Sequence, residues 1–262
     1  MPCSPTLADT LRAQPFELIL SSGFFGFYAH TGVVAALEEA GLAPSLVGGS
    51  SAGAMIAALV AAGIPATAIA ERLFAIRRED FWDLDPRFGL RLGGAGPGLL
   101  RGRAFDRLLE ETLHSVGARE FADCKTPVRI VVFDVAARAT VVLDRGPLAP
   151  AVRASCSLPG MFQPVVLDGR RYLDGGIGDR AGMRAATPGV RVLFHHLAAR
   201  RLWRRVFRGQ NQPPARDNTI VLCAPDAPSV NPFALERGPS AFAAGRDMAR
   251  AALAAPASPT VA

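Results

Sequence analysis

A run of five small residues, Gly49-Ser50-Ser51-Ala52-Gly53, constrains the fold of this chain more than any other feature of its sequence. An apolar run over residues 45–48 precedes it and predicts a buried strand, and an Ala-rich stretch over 52–62 predicts a helix. Changing from strand to helix within so few residues requires a sharp, crowded turn that only small side chains fit. The pattern therefore predicts a βα unit of a parallel α/β sheet, with the Ser51 side chain exposed at the turn.

The same alternation of strand and helix continues through the rest of the chain. Further apolar runs predict strands at 16–21, 128–135, 140–143, 171–173, 190–197 and 219–223, and helices are predicted at 31–40, 66–74 and 103–114. We therefore expect an α/β protein, a three-layer α/β/α fold with a mostly parallel central sheet. The whole chain, 1–262, is expected to be one domain, with its motifs within about 16–180, a C-terminal part over 181–255 and a disordered tail over 256–262.

Positive charge is concentrated in one segment. The formal net charge is +6, which raises the question of a nucleic-acid partner. Residues 180–216, however, contain nine Arg and no Asp or Glu, so the remainder of the chain carries a formal charge of −3. Aromatic residues make up only 7% and no nucleic-acid-binding motif is present, so no nucleic-acid partner is expected. The four Cys are too widely spaced for a zinc motif, and neither a metal nor another cofactor is predicted.

Residues 200–208, within the basic segment, separate into an Arg face and an apolar face when they are placed on a helix. Such a pattern is typical of a helix lying in a membrane interface, but a surface helix packed on the core has it as well. The candidate membrane contacts are Arg200, Arg201, Trp203, Arg204, Arg205, Phe207 and Arg208. The sequence has neither a secretory signal nor an apolar stretch of about 20 residues. It therefore predicts a cytoplasmic protein in peripheral contact with an anionic membrane.

The hydroxyl of Ser51 is a candidate nucleophile, and a serine nucleophile needs a base. One interpretation is a triad in the order Ser51, Asp174 and then His195 or His196, as in α/β-hydrolases. Against it, only one clear strand precedes the turn, and both His lie inside an apolar run. In the other interpretation Asp174, whose two following Gly leave the carboxylate accessible, acts directly as the base. The residues alone leave both interpretations open. They also allow a third, in which the segments around Ser51 and Asp174 are ordinary turns without a catalytic role.

Four separated motifs, together with the helix after the first of them, resemble those of the patatin-like phospholipases. The family's Gly-rich oxyanion loop matches residues 21–26, its G-x-S-x-G elbow matches 49–53, and its D-G-[GA] turn matches Asp174-Gly175-Gly176. Residues 154–165 are similar to the A-S-x-[SA]-x-P-x-x-F-x-P block that precedes the aspartate in the family, and 30–39 resemble the helix after the oxyanion loop. Motifs in the right order are far more specific than any one alone.

The resemblance implies a Ser–Asp dyad that hydrolyses the carboxylic esters of phospholipids or related lipids. Ser51 is the implied nucleophile and Asp174 the implied base, which later activates water. Further implied site residues are Gly23, Phe24, Phe25 and Ala52 as backbone donors of the oxyanion hole, Gly49 and Gly53 in the elbow, and Gly175 and Gly176 after the aspartate. Since an unperturbed Asp has a pKa near 3.9, we expect the dyad to depend on proximity more than on pKa matching.

The oxyanion loop departs from the family pattern. Many family members carry G-G-G-x-R-G, where this chain has Ser21, Ser22 and two Phe, and no Arg. Main-chain donors do not depend on side-chain identity, so we expect the hole to form. A His-dependent esterase and a non-catalytic membrane-binding protein remain the alternative functions. The sequence predicts a lipid substrate and makes no prediction of the oligomeric state.

Overall fold

The computed structural model describes residues 4–80, 83, 100–197, 213, 215–224 and 227–256. Eight strands in these residues form one sheet: β1 (Glu17–Leu20), β2 (Leu46–Ser50), β3 (Val128–Asp134), β4 (Ala139–Leu143), β5 (Val165–Leu167), β6 (Arg170–Asp174), β7 (Val192–His196) and β8 (Thr219–Cys223). Their order is β5-β6-β3-β2-β1-β7-β8, and β4 pairs with β3 outside this order. The predicted membrane-interface helix over 200–208 lies outside the described residues.

The strand pairing is mostly parallel. β1 pairs in parallel with β2 and β7, β2 with β3, and β7 with β8. Antiparallel pairs join β3 to β4 and β6, and β5 to β6. All residues of β1, β2 and β7 are buried, as expected for parallel strands covered on both faces. The predicted α/β fold with a mostly parallel central sheet is confirmed.

Helices flank this sheet. They are α1 (Leu7–Ala13), α2 (Phe27–Glu39), α3 (Ala52–Ala61), α4 (Ala66–Ala75), α5 (Arg103–His114), α6 (Leu148–Ser155) and α7 (Gly238–Ala254). α3 packs against β1, β2 and β3, and α2 packs against α4 and, over its length, against α7. Among the helices of the described residues, none combines the length and the apolar character that a membrane crossing requires.

The two faces of the sheet contribute to separate hydrophobic clusters. Leu18 and Leu20 of β1 point into the larger cluster, which α2, α3 and α6 also line. Ile19 of β1, between them, points into a smaller cluster with Phe194 of β7. In the part of the chain that the structure describes, the segment over 181–186 covers this second cluster. Alternate side chains of one strand thus serve opposite faces, as the period of two in a strand requires.

Candidate active site

Ser51 and Asp174 meet because β2 and β6 follow one another along the same edge of β3. The other edge of β3 is occupied by β4, which pairs with residues 130–134. β2 runs parallel to β3 until Ser50 pairs with Val131. β6 runs in the opposite direction and ends with Asp174 paired with the next residue, Val132. The ends of the two strands therefore face each other beside β3, and Ser51, which follows β2, becomes a neighbour of Asp174.

Ser51 occupies a strained turn that α6 supports. Its φ of 54° and ψ of −120° are unusual for a residue with a side chain. The Ser51 N–H donates to Ser155 Oγ at 2.8 Å, and the Ser51 carbonyl accepts from Cys156 Sγ at 3.3 Å. Ser155 Oγ donates in turn to the Val131 carbonyl of β3 at 2.6 Å. Hydrogen bonds to both the N–H and the carbonyl of Ser51 thus hold the backbone in the conformation that presents its hydroxyl.

The second glycine of the turn is required by close backbone packing. A Cβ atom at Gly53 would overlap the carbonyl group of Leu20, at the end of β1. A Cβ atom at Gly49 would lie 2.6 Å from the carbonyl carbon of Gly53. α3 therefore begins directly against the ends of β1 and β2, which brings its N-terminal N–H groups and the positive end of its dipole to the site.

The side chains of Ser51 and Asp174 are directly hydrogen-bonded. Ser51 Oγ donates to Asp174 Oδ2 at 2.7 Å, and the Gly176 N–H donates to Asp174 Oδ1 at 2.8 Å. Asp174 is only 2% exposed. Burial raises the pKa of Asp174 from 3.8 to about 6, although both hydrogen bonds act to lower it. The carboxylate loses its hydration in this site, so its pKa lies above the value of an unperturbed Asp.

The loop that follows β1 lies beside the turn that follows Asp174. A Cβ atom at Gly176 would lie 2.7 Å from Ser22 Oγ, and the Ser22 N–H donates to the Arg180 carbonyl at 2.7 Å. Phe25 adopts a left-handed backbone conformation with φ of 56°. The Phe24 side chain is 38% exposed, whereas Phe25 is buried. The loop after β1 thus packs against the turn after β6, and it exposes one apolar side chain, that of Phe24.

Two of the predicted oxyanion donors, the N–H groups of Gly23 and Ala52, have no hydrogen-bond acceptor in the part of the chain that the structure describes. The Gly26 N–H, by contrast, donates to the Gly23 carbonyl at 2.8 Å and closes the loop. Gly23 lies in the loop after β1 and Ala52 at the start of α3, on two of the elements that meet at Ser51.

His195, one of the two histidines considered as a base, contacts another histidine. His195 Nδ1 lies 2.8 Å from Nδ1 of His30, and both rings are fully buried. Asp174, which would have to orient a His in a triad, instead accepts directly from the Ser51 hydroxyl. The geometry therefore favours the dyad interpretation over the triad.

Ser155, Cys156 and His30 had no assigned role in the sequence analysis, yet they contact the site or its loop. The first two belong to the 154–165 block, so the family-like block was the available signal. His30 lies in the family-like helix, but nothing in its sequence surroundings indicates a contact with a residue 165 positions away.

The fold and the Ser51–Asp174 pair define an α/β protein with a G-x-S-x-G turn between strand and helix, in which a serine hydroxyl is hydrogen-bonded to a carboxylate. A family model described as "Patatin-like phospholipase" matches residues 18–187, a range that contains both side chains. The chain belongs to the patatin-like phospholipase family.

Named relatives are similar to about two thirds of this chain. An uncharacterized NTE family protein of Mycobacterium tuberculosis is 34% identical over 187 residues, covering 68% of this chain and 48% of the relative. Lysophospholipase nte1 of Emericella nidulans is 31% identical over 72% of this chain, and patatin-like phospholipase domain-containing protein 6 of Homo sapiens is 32% identical over 65%. Each of these two alignments covers 12% of the relative, so the chain spans less than half the length of the curated relatives it matches.

Two solved structures share the fold at low sequence identity. VipD from Legionella pneumophila matches with a TM-score of 0.55 and 15% identity, over 92% of this chain and 67% of that chain. ExoU of Pseudomonas aeruginosa, in its heterodimeric complex with SpcU, matches with a TM-score of 0.50 and 18% identity, over 92% of this chain and 52% of that chain.

Proposed function

We propose that this protein is a lipid acyl hydrolase that cleaves carboxylic esters of phospholipids or lysophospholipids with a Ser51–Asp174 dyad. The observation that carries the proposal is the 2.7 Å hydrogen bond from Ser51 Oγ to a buried Asp174 at a nucleophile elbow. Family membership supports the lipid substrate, and the name of the fungal relative, a lysophospholipase, supports the ester class.

In the proposed mechanism, Asp174 moves one proton in each half-reaction. Ser51 Oγ attacks the ester carbonyl carbon as its proton passes to Asp174, and the leaving alcohol takes that proton when the tetrahedral intermediate collapses. Water then loses a proton to Asp174 and attacks the acyl-enzyme, and release of the fatty acid restores the Ser51 hydroxyl. The N–H groups of Gly23, Phe24, Phe25 and Ala52 are the proposed donors to the oxyanion.

Labelling with a fluorophosphonate tests the nucleophile. We expect a single adduct on Ser51, because the fluorophosphonate reacts with an activated serine hydroxyl and its phosphoryl oxygen occupies the oxyanion site. Ser51→Ala is expected to abolish both labelling and fatty-acid release from lysophospholipid, as measured by peptide mass spectrometry and by titration of the released acid.

The neighbouring serine supplies a matched control for this labelling. The Ser50 hydroxyl is buried and has no hydrogen-bond partner in the described part of the chain. Ser50→Ala is therefore expected to keep full labelling and activity. A wild-type protein that binds lipid vesicles without a Ser51 adduct would instead support the membrane-binding alternative.

The raised pKa of Asp174 predicts the acid limb of the pH profile. The base must be ionised to take the Ser51 proton, so kcat/KM should fall tenfold per pH unit below about pH 6 and stay level above it. The measurement is fatty-acid release from a neutral ester between pH 4.5 and 8.5, within the pH range where circular dichroism shows an intact fold. If kcat/KM instead fell only below about pH 4, the titrating group would be an ordinary carboxyl group, and the result would contradict its assignment to the buried Asp174.

The proposal includes peripheral contact with an anionic membrane through residues 200–208. Its support is the separation of Arg from aromatic and aliphatic residues in the sequence of this segment. Anionic lipid attracts such a segment at low salt, so substrate presented in anionic vesicles is the appropriate assay form.

A further inference from the structure

A pair of buried histidines lies directly behind the oxyanion loop. His30, in the first turn of α2, and His195, in β7, are both fully buried, with their Nδ1 atoms 2.8 Å apart. The other ring nitrogen of His30, Nε2, lies 2.8 Å from the carbonyl oxygen of Ser21. Ser21 is the first residue after β1, where the oxyanion loop begins.

The hydrogen bonds assign one proton to each ring. A carbonyl oxygen only accepts, so His30 Nε2 must carry a proton and donate to Ser21. In a neutral His30 the Nδ1 atom is then an acceptor, and His195 Nδ1–H donates to it. His195 Nε2 is left without a proton, and in the part of the chain that the structure describes it has no hydrogen-bond partner.

Both rings are held in the neutral form by their surroundings. Burial lowers the pKa of His30 to about 4 and the pKa of His195 well below its usual range. A second proton would place a charge and an unpartnered N–H in a site without water contact. At neutral pH, His30 is therefore a fixed donor to Ser21 and not a base for the reaction.

The Ser21 carbonyl is one of three attachments that fix the start of the oxyanion loop. The Ser21 N–H donates to the His195 carbonyl at 3.2 Å, and Ser21 Oγ accepts from the Leu197 N–H at 2.9 Å. The third is the bond from His30, which joins the first residue of the loop to the helix after it. Because the Ser21 carbonyl and the Ser22 N–H belong to one peptide plane, this bond also orients Ser22.

We propose that His30 is a positioning residue for the oxyanion hole, with His195 fixing the tautomer in which His30 donates. This inference rests on the proposed function, since it concerns the same acyl-ester reaction. Holding the 21–22 peptide plane sets the direction of the chain into Gly23, whose N–H is a proposed oxyanion donor. Without the His30 donor, the bond from the Ser22 N–H to the Arg180 carbonyl is the only one within the described residues that holds this plane. The plane can then tilt about that bond, and the oxyanion loses part of its hydrogen bonding in the transition state.

Two substitutions of His30 separate a donor role from simple packing. In His30→Gln the amide nitrogen is placed where Nε2 stood and still donates to Ser21, whereas His30→Leu has no donor. We expect His30→Leu to lower kcat by about 10²-fold with KM changed less than threefold, because an oxyanion interaction acts mainly in the transition state. His30→Gln should recover kcat to within about fivefold of wild type, and His114→Gln, on the exposed end of α5, serves as the control.

Thermal stability distinguishes the two roles. Both His30 variants lose the contact with His195, so both should lower Tm, and a packing role would make the loss of kcat follow the loss of Tm. If His30 acts as a donor, His30→Leu should have a much lower kcat than His30→Gln, although the two variants have similar Tm values. Equal kcat in the two variants, whether both are reduced or both are normal, would overturn the proposal.

The wild-type protein provides a test that does not depend on the variants folding. Nitrogen-15 NMR of selectively labelled histidine at pH 7 should show a neutral His30 ring with its proton on Nε2 and a neutral His195 ring with its proton on Nδ1. An Nδ1–H tautomer for His30, or a charged ring, would overturn the proposed donor. Absence of ester hydrolysis and of Ser51 labelling in wild type would instead refute the proposed function, whatever the tautomers are.

Discussion

Replacing Asp174 with Asn is expected to lower kcat/KM for an acyl ester by about 10³–10⁴-fold while making the folded protein more stable at pH 8. The amide oxygen can still accept the Gly176 N–H, so the turn keeps its geometry. An amide cannot accept the Ser51 proton, and general-base catalysis of this kind contributes about 10²–10⁴-fold, with further losses when a nucleophile loses its only base.

The gain in stability follows from the pKa of Asp174. Its folded value of about 6 exceeds the ordinary value of 3.8, so the protonated carboxyl is the form that the fold favours. Stability from this group is full below about pH 4 and is lost as the pH rises through about 6. At pH 8 the ionised carboxylate lowers the free energy of unfolding of the wild type by about 3 kcal/mol. The Asn side chain is neutral, so the variant does not have this penalty.

Urea unfolding at pH 8 and pH 4, with activity measured on the same samples, tests both parts of this prediction. The difference in stability between Asp174→Asn and wild type should shrink toward zero at pH 4. Asp168→Asn is the matched control, because Asp168 lies in the turn of the same β5–β6 hairpin, where its φ of 48° suits Asn equally well. Activity retained in Asp174→Asn would refute the dyad and favour a histidine base.

The position of Ser51 at a sharp turn could be predicted from sequence, but the environment of Asp174 could not. The crowding at Gly49–Gly53 is a local property, so the turn and the Ser51 side chain follow from five residues. The pKa of Asp174 depends on burial by β3, α6 and the loop after β1, which are distant in sequence. The direct bond to Ser51 depends on β6 continuing the edge of β3 where β2 ends, a register set by antiparallel pairing that the strand sequence does not specify.

The elements of the fold were predictable where hydropathy contrast is strong. α5, whose polar and apolar faces are clearly separated, and β8 have the predicted bounds. α7, in contrast, was not predicted, because its buried face consists mostly of Ala and Gly. Gly245 packs directly on the backbone of Ala29 in α2, where a Cβ atom would overlap the carbonyl. Close helix contact through small residues leaves little hydrophobic periodicity to detect.

α6 was also not predicted, and it contains a buried arginine, Arg153. Pro150 and an Arg within eight residues weaken the helical pattern of 148–155. Arg153 is nevertheless only 2% exposed. Its guanidinium donates to Ser157 Oγ at 2.7 Å, the Arg101 carbonyl at 3.2 Å and the Gly102 carbonyl at 3.4 Å. It also lies 3.3 Å from Asp106 Oδ1.

Arg153→Met is expected to lower the free energy of unfolding by about 3 kcal/mol and Tm by roughly 6–12 °C. Met fills most of the volume, so the loss comes from the three hydrogen bonds that the guanidinium donates, at about 1 kcal/mol for each. The Gly102 carbonyl keeps the Asp106 N–H as a donor, and the Ser157 hydroxyl still donates to the carbonyl of residue 153, so neither group is left without a partner. Asp106 adds little, because its side chain is 42% exposed and can be solvated. Differential scanning calorimetry measures both effects. The control is Arg237→Met, which removes an Arg side chain that is 58% exposed. We expect this control to change the free energy of unfolding by less than about 0.5 kcal/mol. Equal effects of the two substitutions would show that the Arg153 hydrogen bonds only offset the cost of burying its charge.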